Sequence, residues 1–442
     1  MPGIAWPAIS VPHAAAKLAL LHQLEHTQWL SPRRLHELQL RQLQLLLRHA
    51  AATVPYYRER WGKGAISAQD FAGLPLFRVR DLQDNYEHLK SEAIPPEHGI
   101  VFEVRTSGSA GTPKRVLKCQ LSQLFWHALT LREHLWQRRD LGGKLAAIRR
   151  GASGTHPSWG AATEGAFATG RAVGLRVETD VDAQVAWLQR EDPSYLLTYP
   201  SVLAELARIC RSRGIRFPAL LQARTMSEIV FPELRQLCRE AWGVPVIDMY
   251  SAEEVGTIAL QCPEHEHYHV QAETLLVEVL DDQGRACSPG ETGRVVITDL
   301  HNFATPLIRY DIGDFAEAGA LCSCGRGLPV LSRIIGRVRN LLHTADGKRY
   351  YPIFGQTDFL EVAPIQQHQF VQTAFDRMEA RLVTREPLST EQTERFCAYV
   401  AARLPAGIRV EVVRVESIPR GPGGKYEDFI SLVPTPAMEK GR

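Results

Sequence analysis

The chain has 442 residues, 45% hydrophobic and 23% charged, which is enough for two or three domains with full apolar cores. The 51 Lys and Arg residues nearly balance the 49 Asp and Glu residues, and the net charge of +2 gives no basic excess for binding nucleic acid. There is no apolar run of membrane-spanning length and no leader at 1–10, and eight cysteines are too few for a disulfide scaffold. We therefore expect a cytoplasmic enzyme with reduced thiols and with neither membrane nor nucleic-acid partners.

The first half of the chain begins with a mainly helical pattern and continues with strands that alternate with helices. Leu residues at three- and four-residue spacing predict helices over 14–26 and 32–51, followed by an aromatic cluster of Tyr56, Tyr57 and Trp61. From about 101 to 255, apolar runs alternate with helical stretches, which predicts α/β layering around a largely parallel sheet. The expected strands are 100–105, 144–148, 195–198 and 244–250, and the expected helices are 120–137, 183–189 and 201–212.

The second half of the chain is strand-rich and then mixed. Runs at 268–270, 275–280 and 293–298 are separated by Gly, Pro and Asp turns and predict a small β-subdomain. A helix over 390–404 and strands over 409–415 predict a compact α+β domain that begins at Gly336. The expected organisation is an N-terminal domain over 1–335, with a helical cap (about 1–100), an α/β core (about 101–255) and a β-subdomain (about 256–335), and a small C-terminal domain over 336–442.

A loop of small hydroxyl residues and glycines is the most informative local feature. It comprises Thr106, Ser107, Gly108, Ser109, Ala110, Gly111, Thr112, Pro113 and Lys114, directly after a β-like run. Glycine lets the backbone turn its N–H groups toward an anion, and hydroxyls add donors, so the loop suits nucleotide phosphates. Its spacing differs from that of a Walker A loop. By itself the segment also fits a flexible polar surface loop.

Four other segments each supply one part of a nucleotide site. Tyr250 ends an apolar strand and can stack on a base, and Glu254 can hold magnesium. The run 306–314 delivers two carboxylates and a glycine into a turn, where Asp314 can accept both ribose hydroxyls. Arg337 lies beside an expected hinge, and the Gly-rich loop 419–425 ends in Lys425, an ammonium suited to charge on phosphate. Each of these segments alone fits an ordinary solvated loop at least as well.

In this order and at these distances, the five segments resemble the adenylate-forming superfamily of acyl-CoA synthetases. The likeness is strongest to the phenylacetate-CoA ligase branch, with the related coenzyme F390 synthetase and CapK-like proteins. Val54 to Arg58, Leu74 to Phe77 and Tyr199 to Ser201 add to it. The resemblance implies the fold of these enzymes, a large layered α/β AMP-binding domain with a small mobile C-terminal lid. It also implies two half-reactions: a carboxylate and ATP give an acyl-adenylate and pyrophosphate, and a thiol, usually of coenzyme A, then displaces AMP.

The resemblance also assigns roles to residues. The loop from Thr106 to Lys114 would hold the β- and γ-phosphates, Glu254 would ligate magnesium, and Lys425 would stabilise charge as the carboxylate attacks the α-phosphate. The remaining nucleotide contacts would come from Ser227, Glu228, Tyr250, Ser251, Glu253, Asp314 and Arg337. Tyr199 and Met226 could line the acid pocket, but core packing explains such residues equally well. The family favours aromatic acids.

Three positions depart from the family pattern. Ser251 and Glu253 stand where relatives commonly have Gly and then Ser or Thr, so one hydroxyl contact to the α-phosphate is missing and Glu253 could compete with Glu254 for the metal. Arg339 stands where many relatives carry an Asp hinge. The domain swing and the thiol step are thus less secure than adenylation.

A second metal is expected in the β-rich region. Cys262 and His269 lie on a predicted hairpin, and Cys322 and Cys324 follow about fifty residues later. Three thiols and an imidazole are a tetrahedral zinc set, although unrelated buried thiols fit the pattern alone. Relatives similar to F390 synthetase show a like arrangement. His265 or His267 could replace His269, but His269 aligns with the relatives' His, and Tyr268 suggests neighbours that face solvent. A closed site of this kind is structural.

The leading hypothesis is an AMP-forming acid–thiol ligase that uses ATP, Mg²⁺ and coenzyme A, with a structural Zn²⁺. One alternative keeps the adenylate and changes the acceptor to a carrier-protein thiol or an amine. Another is a nucleotide-binding relative that has lost turnover, against which Lys425, Glu254 and Asp314 argue. Relatives often form homodimers, which is an expectation from the family alone.

Overall fold

The computed structural model describes residues 10–61, 66–106, 114–337, 342–346, 349–350, 363–419, 426–427 and 429–433. The helices in chain order are α1 (Pro12–Thr27), α2 (Pro32–Thr53), α3 (Pro55–Trp61), α4 (Val79–Asp84), α5 (Gln120–Trp136), α6 (Val181–Glu191), α7 (Pro200–Arg213), α8 (Pro232–Trp242) and α9 (Thr390–Ala401). Five of them begin with proline, which is tolerated at the first helical position because that N–H has no intrahelical partner. This explains why α1 and α7 start one or two residues earlier than their Leu spacing predicts.

The strands in chain order are β1 (Phe77–Arg78), β2 (Val101–Arg105), β3 (Arg115–Cys119), β4 (Leu145–Arg149), β5 (Gly154–His156), β6 (Ala172–Arg176), β7 (Tyr195–Thr198), β8 (Gln222–Thr225), β9 (Val246–Ala252), β10 (Gly256–Gln261), β11 (Tyr268–Val270), β12 (Leu275–Leu280), β13 (Thr292–Asp299), β14 (Tyr310–Ala318), β15 (Val330–Arg337), β16 (Leu342–His343), β17 (Arg349–Tyr350), β18 (Ile365–Ala374), β19 (Arg377–Thr384), β20 (Arg409–Arg414) and β21 (Phe429–Ser431). Three of the predicted strands, 195–198, 268–270 and 275–280, coincide with β7, β11 and β12.

One large sheet runs through the main body of the protein. Within the described residues it has thirteen strands in the order β12-β13-β14-β15-β11-β10-β9-β8-β7-β4-β6-β5, with β1 paired to β14. The stretch β6-β4-β7-β8-β9 is parallel and carries the crossover helices α6, α7 and α8 between its strands. From β9 onward to β12 the pairing is antiparallel. The expected mixed α/β fold with a parallel core and a β-rich continuation is confirmed, and both are parts of one sheet.

Two apolar clusters bury the two halves of this sheet. The parallel half packs Leu196 and Ala223 against Leu203 of α7 and Leu237 of α8. The antiparallel half packs against α2 and α3. Leu43, Leu46 and Tyr57 of these helices lie in one buried cluster with Ile297 of β13 and Tyr310 of β14. The aromatic cluster at Tyr56 and Tyr57 is therefore core, and the Tyr57 hydroxyl donates a hydrogen bond to the Pro306 carbonyl at 2.8 Å.

The C-terminal unit, defined by β18 to β21 with α9, forms a separate sheet. Its order is β20-β19-β18-β21, with β18 and β19 antiparallel and the outer pairs parallel. Phe370, Met378 and Phe396 lie in its own apolar cluster, so this unit has a core distinct from those of the large sheet. Among the residues that the structure describes, no helix has both the length and the apolar character needed to cross a lipid bilayer.

Candidate functional site

The candidate site lies where the parallel and antiparallel halves of the large sheet meet. Strand β9 ends at Ala252, a short turn follows, and β10 returns antiparallel beside it. Tyr250 and Ser251 lie at the end of β9, and Glu254 lies in the turn. In the antiparallel half of the sheet, Asp314 of β14 lies directly opposite Arg337 at the end of β15. The sheet thus brings three segments that are far apart in sequence to one edge.

Asp314 is the centre of the first group of contacts. Its Oδ2 accepts a hydrogen bond from the Tyr250 hydroxyl at 2.8 Å, and its Oδ1 lies 2.9 Å from Nε of Arg337. Burial, and then the charge of Asp314, raise the pKa of Tyr250 well above its usual value, so this hydroxyl stays a donor. The Asp314 charge likewise raises the pKa of Arg337. These three predicted nucleotide contacts form one connected group.

Glu254 is the centre of the second group. Its Oε1 accepts hydrogen bonds from the Lys114 ammonium and from the Tyr310 hydroxyl, the latter at 3.1 Å. Burial alone would raise the pKa of Glu254, but the charge and hydrogen bond of Lys114 lower it below its usual value. Glu254 is therefore an ionised carboxylate in a buried setting, which is the oxygen donor that a hard divalent cation prefers. A magnesium ion held here would neutralise phosphate charge.

Only the ends of the predicted phosphate loop fall within the described chain. Residues 107–113, which include Ser107, Gly108, Ser109, Gly111 and Thr112, lie outside the described residues, as do Lys425 and Arg339. The two ends are joined, because the Lys114 N–H donates to Thr106 Oγ1 at 3.3 Å and the Thr106 N–H donates to the Lys114 carbonyl at 3.0 Å. The hairpin of β2 and β3 therefore carries Lys114 to Glu254.

The positions that depart from the family pattern differ in burial. Ser251 is half-buried and pairs with Thr257 in the β9–β10 ladder. Glu253 is exposed, while its neighbour Glu254 is buried against Lys114. A tight turn separates the two carboxylates in this way, since the Val255 N–H bonds back to the Ala252 carbonyl at 3.3 Å. The competition of Glu253 with Glu254 for a metal stays a prediction.

The residues predicted at the adenine side lie at the carboxyl end of β8. Ser227 has a left-handed backbone, with φ of 71°, and is exposed. The Glu228 carboxylate accepts hydrogen bonds from two backbone N–H groups, that of Ser201 at 2.9 Å and that of Tyr426 at 2.6 Å. Met226 is half-buried at the edge of the apolar cluster that contains the buried Tyr199, and the pocket role of both stays a prediction.

Two details of the sequence analysis need correction. The run 306–314 was expected to end in a turn, but residues 310–318 form strand β14, in which Gly313 takes a φ of 85°. Tyr268, as a neighbour of His269, was expected to face solvent, but it is 5% exposed and its hydroxyl donates to Asp248 at 2.7 Å. The first error arises because Asp and Gly suit turns, and only pairing with β13 and β15 makes this segment a strand. The second arises because every residue of β11 is buried, so alternation along that strand does not distinguish inside from outside.

Tyr310 and Asp248 are buried polar residues of this region to which the sequence analysis gave no role. Tyr310 lies on the same strand face as Asp314, four residues further along β14, and this alternation was a readable signal. Asp248 accepts hydrogen bonds from Thr225 and Tyr268, each at 2.7 Å. Burial raises the pKa of Asp248 to about 6, although both hydrogen bonds oppose that shift. No short motif indicates these side-chain hydrogen bonds between residues of β8, β9 and β11.

The four predicted zinc ligands lie together beside this region. Ligand atoms of Cys262, His269, Cys322 and Cys324 all lie within 4.8 Å of one another. Tetrahedral zinc with sulfur ligands about 2.3 Å away needs sulfur–sulfur separations of about 3.8 Å. The Cys262 and Cys322 sulfurs are 3.9 Å apart, and Cys324 Sγ lies 3.4 Å from Nε2 of His269. The donor types and their spacing fit a single zinc ion.

Comparisons with known proteins agree with this architecture. No protein-family model matches the chain. The phenylacetate-coenzyme A ligase of Thermus thermophilus is 25% identical over 90% of this chain and 97% of its own, and that of Pseudomonas putida is 27% identical over 70% and 72%. The phenylacetate-coenzyme A ligase of Escherichia coli is 24% identical over 88% and 93%.

Solved structures show the same fold. A 2-hydroxyisobutyryl-CoA ligase in the postadenylation state with 2-HIB-AMP gives a TM-score of 0.69 at 19% identity, covering 89% of this chain and 88% of its own. The same ligase in the thioesterification state gives 0.57 at 20% identity, over 92% and 91%. Two of the three curated relatives span nearly the whole chain and the solved structures share its architecture, so the expected resemblance to the adenylate-forming superfamily of acyl-CoA synthetases is confirmed.

Proposed function

We propose that this AMP-forming acid–thiol ligase activates a carboxylic acid with ATP and passes the acyl group to coenzyme A, with an aryl acid of the phenylacetate type as the favoured substrate. The observation that carries the proposal is the convergence of Lys114, Tyr250, Glu254, Asp314 and Arg337 into two hydrogen-bonded groups at one sheet edge. The curated relatives are all named for phenylacetate, which supports the aryl preference.

The chemistry divides between named groups in this proposal. A carboxylate oxygen of the acid attacks the α-phosphorus of ATP, and the bond from that phosphorus to pyrophosphate breaks. Lys425 stabilises the charge that develops there. Asp314 receives the ribose hydroxyls, Tyr250 packs on the base, and Lys114 binds phosphate oxygens. Glu254 would hold the magnesium ion, which would neutralise phosphate charge. The thiol then attacks the acyl carbonyl, and AMP leaves.

The C-terminal unit is proposed to act as a mobile lid between the two half-reactions. A 2-hydroxyisobutyryl-CoA ligase of the same fold has been solved in a postadenylation state and in a thioesterification state, which match this chain with TM-scores of 0.69 and 0.57. The existence of two states in that ligase supports a lid that moves between the half-reactions. The proposed domain boundary lies at 335/336, and β15 extends through it to Arg337. A homodimer and a cytoplasmic location stay predictions.

The test is ATP–pyrophosphate exchange with a panel of aryl and alkyl acids, followed by AMP release with and without coenzyme A. We expect exchange with aryl acids and a marked acceleration of AMP release by coenzyme A. Exchange without acceleration by coenzyme A would instead assign a carrier-protein thiol or an amine as acceptor. An absence of exchange with every acid in the panel would assign a nucleotide-binding protein without turnover.

We also propose that Cys262, His269, Cys322 and Cys324 hold one structural Zn²⁺. The ion would tie the β10–β11 hairpin to the turn that precedes β15, the strand that ends at Arg337. Zinc content is measured by mass spectrometry on protein made in zinc-supplemented medium. We expect one zinc per chain, its loss in Cys324→Ser, and its retention in the matched control Cys397→Ser, which removes a half-buried thiol elsewhere. Wild-type protein without stoichiometric zinc would refute the assignment.

A further inference from the structure

The Glu228 carboxylate forms hydrogen bonds to the protein backbone on both sides, although the family resemblance assigns it to the nucleotide. Both of its oxygens are bonded to backbone N–H groups, Oε2 to Ser201 and Oε1 to Tyr426. Ser201 belongs to the first turn of α7 in the large domain, whereas Tyr426 lies directly before β21 of the C-terminal unit. A single carboxylate therefore bridges the two bodies of the protein.

The local structure explains why Glu228 can do this. The left-handed backbone of Ser227 and the bond from the Glu228 N–H to the Met226 carbonyl, 2.9 Å long, turn the chain sharply after β8. The carboxylate then lies at the N-terminus of α7, where the exposed N–H groups and the helix dipole favour a negative charge. One oxygen is held by the helix, and the other is presented to Tyr426.

Tyr426 is itself fixed to the C-terminal unit. Its hydroxyl donates a hydrogen bond to the carbonyl of His368 in β18, and the His368 N–H donates to that hydroxyl at 3.2 Å. The next residue is held too, because the Gln369 side-chain amide donates to the Glu427 carbonyl at 2.9 Å. The Tyr426 backbone is thus linked through hydrogen bonds to β18, one of the two inner strands of this sheet.

An electrostatic influence links the same helix to the C-terminal unit. His368 is buried, and burial first, then the charge of Arg208 on α7, lower its pKa to about 3. The charge of this α7 residue thus reaches His368 of the C-terminal unit.

We propose that Glu228 is a positioning residue, which holds the C-terminal unit on α7 in the arrangement that serves adenylation and releases it before thioester formation. This inference rests on the proposed function, and it replaces the nucleotide contact that the family resemblance assigned to Glu228. Glu228 thus acts through the Tyr426 backbone and does not touch the reacting atoms.

The experiment compares wild-type protein with Glu228→Gln and with the control Glu240→Gln. Glu240 also pairs with a residue of α7, Arg211, at 2.6 Å, but from the neighbouring helix α8. Glutamine keeps the size of the side chain, removes its charge and can turn an NH₂ group toward the Tyr426 N–H. Amide hydrogen exchange of the peptide that contains 426–433 reports the contact directly, and the two half-reactions are measured separately.

We expect Glu228→Gln to raise hydrogen exchange at 426–433 and to slow ATP–pyrophosphate exchange about 10-fold, since a charge-assisted hydrogen bond is lost. The KM for ATP and acyl transfer from preformed adenylate to coenzyme A should change less than about twofold, and Glu240→Gln should match wild type. Unchanged hydrogen exchange in Glu228→Gln, or a raised KM for ATP with no other change, overturns the proposal. If wild-type protein forms no adenylate, the proposed function fails, and hydrogen exchange still decides the contact.

Discussion

The buried pair of Lys114 and Glu254 gives the sharpest test of the site's electrostatics. Their side chains are only 6% and 3% exposed, so water compensates neither charge. Replacing Lys114 with methionine leaves the Glu254 carboxylate buried with the Tyr310 hydroxyl as a neutral donor. Removal of one partner of a buried pair costs about 3 to 5 kcal/mol, and we expect Lys114→Met to lower the free energy of unfolding by that amount at pH 7.

The loss of stability in Lys114→Met should depend on pH and on whether Glu254 is still present. Without Lys114, burial raises the pKa of Glu254 above its unfolded value, so the folded state gains a proton on acidification and the loss shrinks from pH 7 to pH 5. Adding Glu254→Gln removes the uncompensated charge, so the double variant should be more stable than Lys114→Met. The two losses are thus expected to be strongly non-additive.

Urea unfolding monitored by tryptophan fluorescence gives these free energies, with Lys90→Met as the control. Lys90 pairs with Glu87 at 2.6 Å on the surface, where the side chains are 31% and 69% exposed. Such pairs contribute at most about 1 kcal/mol, so Lys90→Met should be close to wild type. The reasoning is refuted if Lys114→Met is as stable as Lys90→Met, or if the losses in the double variant simply add.

Two further predictions concern neighbouring carboxylates. Burial raises the pKa of Asp248 from 3.8 to about 6, so this carboxyl group binds a proton more tightly in the folded protein than in the unfolded chain. Its contribution to stability therefore falls as the pH rises from about 4 to about 6. In urea unfolding at pH 7 and pH 4, wild type should therefore gain about 2 kcal/mol relative to Asp248→Asn at the lower pH, and a relative loss would contradict this. Asp314→Asn should raise the KM for ATP in pyrophosphate exchange about 10-fold or more while the KM for the acid is unchanged, because the carboxylate held by Tyr250 and Arg337 loses its charge. An unchanged KM for ATP would remove Asp314 from the nucleotide site.

Element types were readable because periodicity is a local property. Strands β7, β11 and β12 coincide with their predicted bounds, since each is a short apolar run between turn residues. The ends of helices were less exact, because proline and capping chemistry, not Leu spacing, set where α1 and α7 begin. Segment 310–314 was misjudged as a turn, since its Asp and Gly suit turns and only pairing with β13 and β15 makes it a strand.

The sequence alone indicated the resemblance to the superfamily, and it determined the alternation of strands and helices and the residue types available for binding nucleotide and metal, because these depend on local order along the chain. Tertiary structure decided which of those residues meet. It joined Lys114 to Glu254 and Tyr250 to Asp314, brought Cys262 and His269 to the later cysteines, and turned Glu228 toward Tyr426. The physical reason is that strand order in the sheet and docking between the two bodies are set by long-range packing, which leaves no periodic signal in a single sequence.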